Sequence, residues 1–244
     1  MKIRQGRAKG LFGKKGAEGR VGDVVKYIKQ LLKKKKQIKV LEVGTGYGRA
    51  LLELKKIFGE KIETHGINLE PEWNQNLVRK YALQEKIFDK KEINKNLPKI
   101  HILDAGKKLP FKSESFDFIF NPATMQYIPD KILFIEEVNR ILTREGIAAL
   151  ELEEVRVEHP LEYQNLFEIW DNGKRIDIIK HFKNFKNIQI KKSTERDWHY
   201  IIIEKVKKFN LNLKFIAAID LEGDLALDWG VRWWGKKSIY RLGK

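Results

Sequence analysis

One segment constrains the fold more than any other, because a strand pattern runs directly into three closely spaced glycines and then into a helix pattern. The segment reads Val40-Leu41-Glu42-Val43-Gly44-Thr45-Gly46-Tyr47-Gly48-Arg49. Closely spaced glycines let a ligand lie against bare backbone, and we expect free amide N–H groups at the start of the following helix. The segment therefore predicts a strand–loop–helix unit with a ligand-binding loop.

Strand and helix patterns keep alternating after this unit, up to about residue 154. The strands are expected at residues 38–43, 62–69, 99–104, 116–121 and 146–151. Such alternation is typical of βαβ units with a parallel sheet and helices on both faces. A helical region over 161–185 and an antiparallel pair of strands at 187–192 and 198–206 are expected to follow. The predicted fold is α/β, a Rossmann-like doubly wound, mostly parallel seven-stranded sheet with an antiparallel final strand.

The predicted domain organisation has three parts. Residues 1–22 contain scattered glycines among basic residues, so we expect a basic arm or lid that buries little. Residues 23–206 are expected to form the main domain, and residues 207–244 a C-terminal extension that packs on it. Within the extension we expect a hairpin near 215–227, followed by a tryptophan-rich end.

Composition excludes several classes of site and leaves the partner open. The chain of 244 residues has no cysteine, which excludes disulfide scaffolds, thiolate zinc sites, iron–sulfur clusters and cysteine nucleophiles. Its formal net charge of +16 favours either an anionic partner or simply a lysine-rich, solvated surface. No apolar run approaches the roughly 20 residues of a membrane helix, and no secretory signal is recognisable. We therefore expect a cytoplasmic protein without a membrane partner, and the sequence predicts no oligomeric state.

The glycine loop departs from two well-known nucleotide-binding patterns. The third glycine of the dinucleotide fingerprint would fall at Arg49, and no Lys-Ser/Thr pair follows the loop as a P-loop requires. Glu42 stands just before the loop, where its carboxylate would repel the phosphates of a dinucleotide. The same carboxylate would attract a cationic amine or a sulfonium group.

This segment resembles the first motif of the class I S-adenosylmethionine-dependent methyltransferases, and the similarity continues in order over about residues 38–152, closest to the type 11-like group. The resemblance implies a loop that wraps the methionine and ribose portions of S-adenosylmethionine, with Glu42 near its amino group. The corresponding loop residues are Gly44, Thr45, Gly46 and Gly48.

Later segments of the resemblance supply the remaining expected cofactor contacts. The family usually has an acidic residue for the ribose hydroxyls at the end of the second strand, and the choice here is open between Asn68 and Glu70. At the third strand, the resemblance implies that Asp104 accepts from the adenine amine and that the N–H of Ala105 meets the ring. Asn121, at the end of the fourth strand, completes the expected cofactor-binding set.

The acceptor side of the site carries three candidate catalytic residues, of which none is assigned. Asn121 and Pro122 match the start of the Asn-Pro-Pro-aromatic motif that nucleic-acid and protein amine methyltransferases use, although a turn after a buried strand explains them equally. Tyr127 is expected either to line the acceptor pocket or to pack. His159 follows the fifth strand and is either a general base or a surface loop residue.

Taken together, the motifs predict an enzyme that transfers the sulfonium methyl group by in-line displacement to an N or O nucleophile, on a small molecule. One alternative is an RNA or DNA methyltransferase that uses the basic surface and the terminal tryptophans. Another is a non-catalytic binding module that keeps the fold. No metal site is expected, because the acidic residues around Gly223 depart from the calcium-loop spacing.

Overall fold

The structure is a computed structural model. It describes residues 10–125, 128, 130–152, 169–171, 174–176, 178–195 and 199–213.

A seven-stranded sheet in the order β3-β2-β1-β4-β5-β9-β8 forms the centre of the protein. Its strands are β1 (Ile38–Val43), β2 (Ile62–Asn68), β3 (Lys99–Ile102), β4 (Phe116–Asn121), β5 (Leu142–Leu152), β8 (Ile188–Lys192) and β9 (His199–Glu204). The pairs from β3 to β5 are parallel, whereas β9 runs antiparallel to both of its neighbours. The predicted mostly parallel sheet with an antiparallel final strand is confirmed.

The helices connect the strands and cover both faces of the sheet. They are α1 (Ala17–Val21), α2 (Val24–Leu32), α3 (Arg49–Phe58), α4 (Gln75–Gln84), α5 (Ile93–Asn96), α6 (Lys131–Ile141) and α7 (Ile178–Phe182). Local sequence explains several of their ends. The Asp23 carboxylate accepts from the amide of Lys26, as predicted for an N-cap, and Asn74 and Asp130 cap α4 and α6 in the same way.

Two apolar layers hold the sheet between the helices. Strand β4 is buried along its whole length, and its side chains alternate between the layers. Phe118 and Phe120 pack with α1, α2 and α3, whereas Ile119 packs with α6 and α7. A third cluster joins α3, α4 and α5 beside the glycine loop. This arrangement fixes the carboxyl ends of β1 and β4 side by side.

The predicted helical region over residues 161–185 is wrong in part. Residues Ile169–Asp171 (β6) and Lys174–Ile176 (β7) form an antiparallel pair, and among the described residues of this region Ile178–Phe182 alone is helical. The sequence between the two strands is Asn172-Gly173, a dipeptide typical of two-residue hairpin connections.

The expectation that residues 1–22 bury little is wrong for the described residues 10–22. Leu11, Ala17 and Val21 are buried in the layer that contains α2 and α3, and α1 packs against β5 and β9. The glycines of this segment allow tight turns, and the apolar residues between them supply the buried contacts.

Within the described residues, every helix is too short or too polar to span a lipid bilayer. The predicted hairpin near 215–227 and the tryptophan-rich end lie outside the described residues.

Candidate active site

The candidate site lies where the order of strands reverses, at the carboxyl ends of β1 and β4. Strand β1 continues to β2 on one side and pairs with β4 on the other, so the connections leave in opposite directions. In open α/β sheets, a ligand crevice forms at this topological switch point. Gly44 follows the last residue of β1, and Asn121 is the last residue of β4.

The glycine loop from Gly44 to Gly48 turns tightly because all three of its glycines have positive φ angles. Most of its amides are used by the protein itself. The amides of Gly44 and Thr45 both donate to the carbonyl of Ile67, and the amide of Gly48 donates to that of Thr45. The amide of Gly46 donates to Asn68 Oδ1 at 2.8 Å. These four loop amides are therefore occupied by the protein itself, whereas the predicted free N–H groups belong to the start of the following helix.

Glu42 is a buried carboxyl group just below this loop, 3% exposed. The hydroxyl of Thr45 donates to its Oε2 at 2.6 Å. Burial raises the pKa of Glu42 to about 8, and the hydrogen bond from Thr45 offsets only part of that effect. Among the described residues, no cation lowers the pKa of Glu42, so a positively charged ligand would stabilise its ionised form.

Asn68 fastens the loop to the end of β2. Its Nδ2 donates to the carbonyl of Gly46 at 3.1 Å and to the carbonyl of Trp73 at 2.6 Å, while its Oδ1 accepts from the Gly46 amide. The indole of Trp73 also lies over Gly46, 3.2 Å from the position that a Cβ would take there. Both amide protons of Asn68 are therefore used in holding the loop.

The other predicted cofactor residues lie along the carboxyl ends of β2 and β3. Glu70 is half-buried two residues after β2, and no contact of its carboxylate is found among the described residues. Asp104 follows β3, where its Oδ1 accepts from the amide of Gly106 at 2.9 Å. Ala105 is buried beside it, at 9% exposure. The amide of Leu103 donates to the carbonyl of Asn68, which joins these two strand ends.

Asn121 is completely buried at the end of β4. Its Nδ2 donates to the carbonyl of Val43 at 3.4 Å, which ties β4 to the start of the glycine loop. Its Oδ1 is buried and has no hydrogen-bond donor within the described part of the chain. An unpaired buried carbonyl oxygen is costly, so a site for a donor group is present here. Tyr127 and His159 lie outside the described residues.

Sequence reasoning missed several residues that shape this crevice. Thr124 lies against Gly44 so closely that a Cβ on Gly44 would stand 2.5 Å from the Cβ of Thr124. Arg20 donates to the carbonyl of Pro122, directly after Asn121. Long-range contacts of this kind leave no signal in one sequence.

These observations together fit a ligand that carries a positive charge and approaches bare backbone. The buried Glu42 carboxyl group supplies the negative charge, the glycines supply the space, and Asn121 Oδ1 supplies an acceptor. S-adenosylmethionine has these complementary features, so the residues present fit it.

Comparison with known proteins agrees with this geometry. Residues 41–150 match the model of a family described as a methyltransferase domain. An uncharacterized protein of Haemophilus influenzae is 37% identical over 112 residues, which cover 45% of this chain and 40% of that protein. The norajmaline N-methyltransferase of Rauvolfia serpentina is 30% identical over 111 residues, 44% of this chain and 33% of that enzyme. The chain thus spans well under half the length of these curated relatives.

Solved structures with similar chains include two methyltransferases. A SAM-dependent methyltransferase from Methanosarcina mazei is 18% identical, covers 71% of this chain and 95% of that one, and has a TM-score of 0.48. Another from Aquifex aeolicus is 19% identical, covers 72% of this chain and 89% of that one, and has a TM-score of 0.43.

Proposed function

We propose that this protein transfers the sulfonium methyl group of S-adenosylmethionine to an N or O nucleophile of a small molecule. The proposal is supported by the match of residues 41–150 to a methyltransferase domain and by the similarity to an N-methyltransferase.

One observation carries the choice of cofactor: four of the five loop amides donate to the protein itself, and a buried carboxyl group lies below them. A dinucleotide-binding loop offers its N–H groups to phosphate oxygens. Here the amides of Gly44, Thr45, Gly46 and Gly48 donate to the protein, and Glu42, whose pKa of about 8 keeps it mostly protonated at pH 7, offers a phosphate no positive charge. The positively charged amino group of S-adenosylmethionine would instead be attracted to this site, because it would stabilise the ionised form of Glu42.

Each proposed cofactor residue has a distinct task in this crevice. Bound there, S-adenosylmethionine would supply a methyl group that is already activated by its positive sulfur. Glu42 binds the amino group of the cofactor, and the glycine loop gives access to the backbone. Asp104 and Ala105 hold the adenine. Methyl transfer then requires alignment more than a strong acid or base, and Asn121 Oδ1 orients the nucleophile by accepting a hydrogen bond from it. The methyl–sulfur bond breaks as the new bond forms, the sulfur leaves as a neutral thioether, and the proton of the methylated nucleophile is released to solvent.

Glu70 is the residue that we assign to the ribose hydroxyls. Asn68 uses both amide protons on the carbonyls of Gly46 and Trp73, so its task is to hold the loop. We expect Glu70→Gln to weaken the binding of S-adenosylhomocysteine about tenfold, because hydrogen bonds to a charged acceptor are worth about 1.5–3 kcal/mol. Isothermal titration calorimetry measures this change. Glu72→Gln removes an exposed carboxylate two residues later and should leave the affinity unchanged; an equal loss in both variants would refute the assignment.

A small-molecule acceptor is supported by the surroundings of Pro122. In the Asn-Pro motif of amine methyltransferases, the resemblance implies that a proline carbonyl helps to hold the target amine. The carbonyl of Pro122 already accepts from Arg20 at 3.2 Å, so an acceptor amine would have to compete with a buried guanidinium. The name of the related norajmaline N-methyltransferase also favours a small-molecule acceptor.

The experiment that tests this function is transfer of a labelled methyl group. The purified protein is incubated with methyl-labelled S-adenosylmethionine and cell extract separated into metabolite, RNA, DNA and protein fractions. We expect label to enter the metabolite fraction, and no label in any fraction would contradict the proposed activity.

A nucleic-acid acceptor is the second candidate, favoured by the net charge of +16. Several phosphate contacts would make binding to RNA or DNA fall steeply as the salt concentration rises. Label in the RNA or DNA fraction, together with such salt dependence, would select this alternative. A cytoplasmic location stays a prediction for either acceptor.

A further inference from the structure

Residues 10–22, which we call the N-terminal strap, connect the two halves of the candidate site. At one end, the amide of Leu11 donates to Glu53 Oε2 at 2.6 Å, and Glu53 also pairs with Arg49 in the first turn of α3. At the other end, the carbonyl of Gly19 accepts from the residues that follow β8. The strap therefore joins the helix that follows the glycine loop to the carboxyl ends of the strands on the acceptor side.

Arg20 is the main anchor of the strap on the acceptor side and is only 2% exposed. Its NH1 group donates to both carboxylate oxygens of Glu151, near the end of β5, at 3.0 and 3.1 Å. Its NH2 group donates to Glu195 Oε1 at 3.0 Å, and its Nε also pairs with Glu195. The planar guanidinium provides several donors in a fixed geometry, which a lysine ammonium group cannot reproduce.

The same guanidinium reaches the turn that carries Asn121. Its NH1 group donates to the carbonyl of Pro122 at 3.2 Å, while Asn121 is tied to Val43 on its other side. Two contacts from opposite directions thus fix the Asn121-Pro122 turn. A buried ion cluster is by itself weak evidence for a stabilising role, because desolvation offsets much of the attraction. Because this ion cluster also contacts the Asn121-Pro122 turn, we assign the cluster a role in the site.

We infer that Arg20 is a positioning residue of the methyl-transfer site: it holds the Asn121-Pro122 turn so that Asn121 Oδ1 stays aligned with the acceptor nucleophile. This inference rests on the proposed function for its catalytic consequence. Its structural consequence, a turn whose rigidity depends on Arg20, is measurable without any acceptor.

The test compares Arg20→Lys with the matched control Arg140→Lys. Arg140 also donates to one glutamate, Glu137, and to two backbone carbonyls, but it lies at the end of α6, away from the carboxyl ends of the strands. Hydrogen exchange followed by mass spectrometry reports on the amides of Ala123, Thr124 and Met125. We expect exchange there to become about tenfold faster in Arg20→Lys, relative to the most protected core peptides, and to stay unchanged in Arg140→Lys.

Turnover then separates positioning from general stability. With labelled cofactor and the fraction that the wild-type protein methylates, Arg20→Lys should lose about 10- to 100-fold in kcat, while its Kd for S-adenosylhomocysteine changes less than about threefold. Unchanged exchange at residues 123–125, or a lower Tm with an unchanged kcat per folded molecule, would overturn the inference. If the wild-type protein transfers no methyl group, the proposed function fails, and the exchange measurement still decides whether Arg20 holds the turn.

Discussion

Gly44→Ala is expected to lower the affinity for S-adenosylhomocysteine about 100-fold. The φ angle of Gly44 is +75°, a left-handed conformation that costs other residues about 1–2 kcal/mol. The added Cβ would also stand 2.5 Å from the Cβ and Cγ2 of Thr124. Either Thr124 or the loop must move, and both lie where β1 and β4 open the crevice. Calorimetry on the folded fraction, established by urea unfolding, measures the loss.

Gly59→Ala is the matched control for this substitution. Gly59 lies at the other end of α3 with a φ angle of +56°, but nothing lies within 4 Å of its Cβ position. The Gly59→Ala variant should therefore lose about 1–3 kcal/mol of unfolding free energy from backbone strain, because Gly59 combines its positive φ with a ψ angle of −129°, and it should keep its affinity. Replacing Thr124 with glycine in the Gly44→Ala background should recover part of the stability, because the clash is removed. Equal affinities per folded molecule for Gly44→Ala and Gly59→Ala would contradict the proposed place of the cofactor.

Glu42→Gln is expected to stabilise the free protein at pH 8 while weakening cofactor binding. The folded pKa of Glu42 is about 8, raised from an ordinary value of 4.5 by burial. Between these two pH values the folded state holds a proton that the unfolded state has lost. Stability therefore falls as the pH rises through this window, at up to about 1.4 kcal/mol per pH unit. Glutamine removes this loss, so the gain in unfolding free energy at pH 8 should be about 4 kcal/mol.

In the wild-type protein, the affinity for the cofactor should rise with pH, whereas the stability of the free protein falls. Binding of the amino group favours the ionised carboxylate, so affinity for S-adenosylhomocysteine should rise between pH 6 and 7.5, by up to about tenfold per pH unit, with release of a proton. Glu42→Gln should abolish that rise. Calorimetry at several pH values and in buffers of different ionisation enthalpy measures both effects.

Glu63 provides a control, because its pKa is shifted in the opposite direction to that of Glu42. A hydrogen bond from Lys99 holds the pKa of Glu63 at about 2, so its contribution to stability is present above the ordinary value of 4.5 and is lost as the pH falls towards 2. Glu63→Gln should therefore be less stable than the wild type at pH 8 and should bind S-adenosylhomocysteine unchanged. A Glu42→Gln variant that is less stable at pH 8, or that binds with wild-type affinity and pH dependence, would contradict the role assigned to Glu42.

The sheet could be predicted because its strands carry local signals. Central strands such as β1 and β4 are short apolar runs between turn residues, and the order of strands and helices dictates a parallel, doubly wound topology. The pair β6–β7 was not predicted, although the Asn172-Gly173 dipeptide between its strands is a local hairpin signal.

The candidate site could be predicted only as far as its residues lie close together in sequence. The glycine loop and Glu42 are neighbours along the chain, so the resemblance of this segment to a known motif could be recognised from the sequence alone. The tasks of Asn68 and Arg20 depend on contacts that only the folded chain creates. Arg20 and Glu151, for example, are 131 residues apart, and neither has a local pattern that indicates burial.

The hydrogen bonds of the glycine-loop amides also depend on contacts that only the folded chain creates. The loop's own residues do not indicate whether the amides of Gly44, Thr45 and Gly46 are free, because their acceptors are the carbonyl of Ile67 and the side chain of Asn68, both supplied by the next strand. This difference decides which ligand the loop accepts, because an occupied amide cannot bind phosphate.

Equilibrium binding of S-adenosylmethionine and of a dinucleotide tests the central claim most directly. Isothermal titration calorimetry of the folded protein at pH 7.5 should show S-adenosylmethionine bound with a stoichiometry of one and a Kd of about 1–100 µM, the range of common enzyme substrates. NAD⁺, whose pyrophosphate would face Glu42 and a loop with occupied amides, should give no saturable binding. Saturable binding of NAD⁺, or no binding of S-adenosylmethionine to folded protein, would contradict the account.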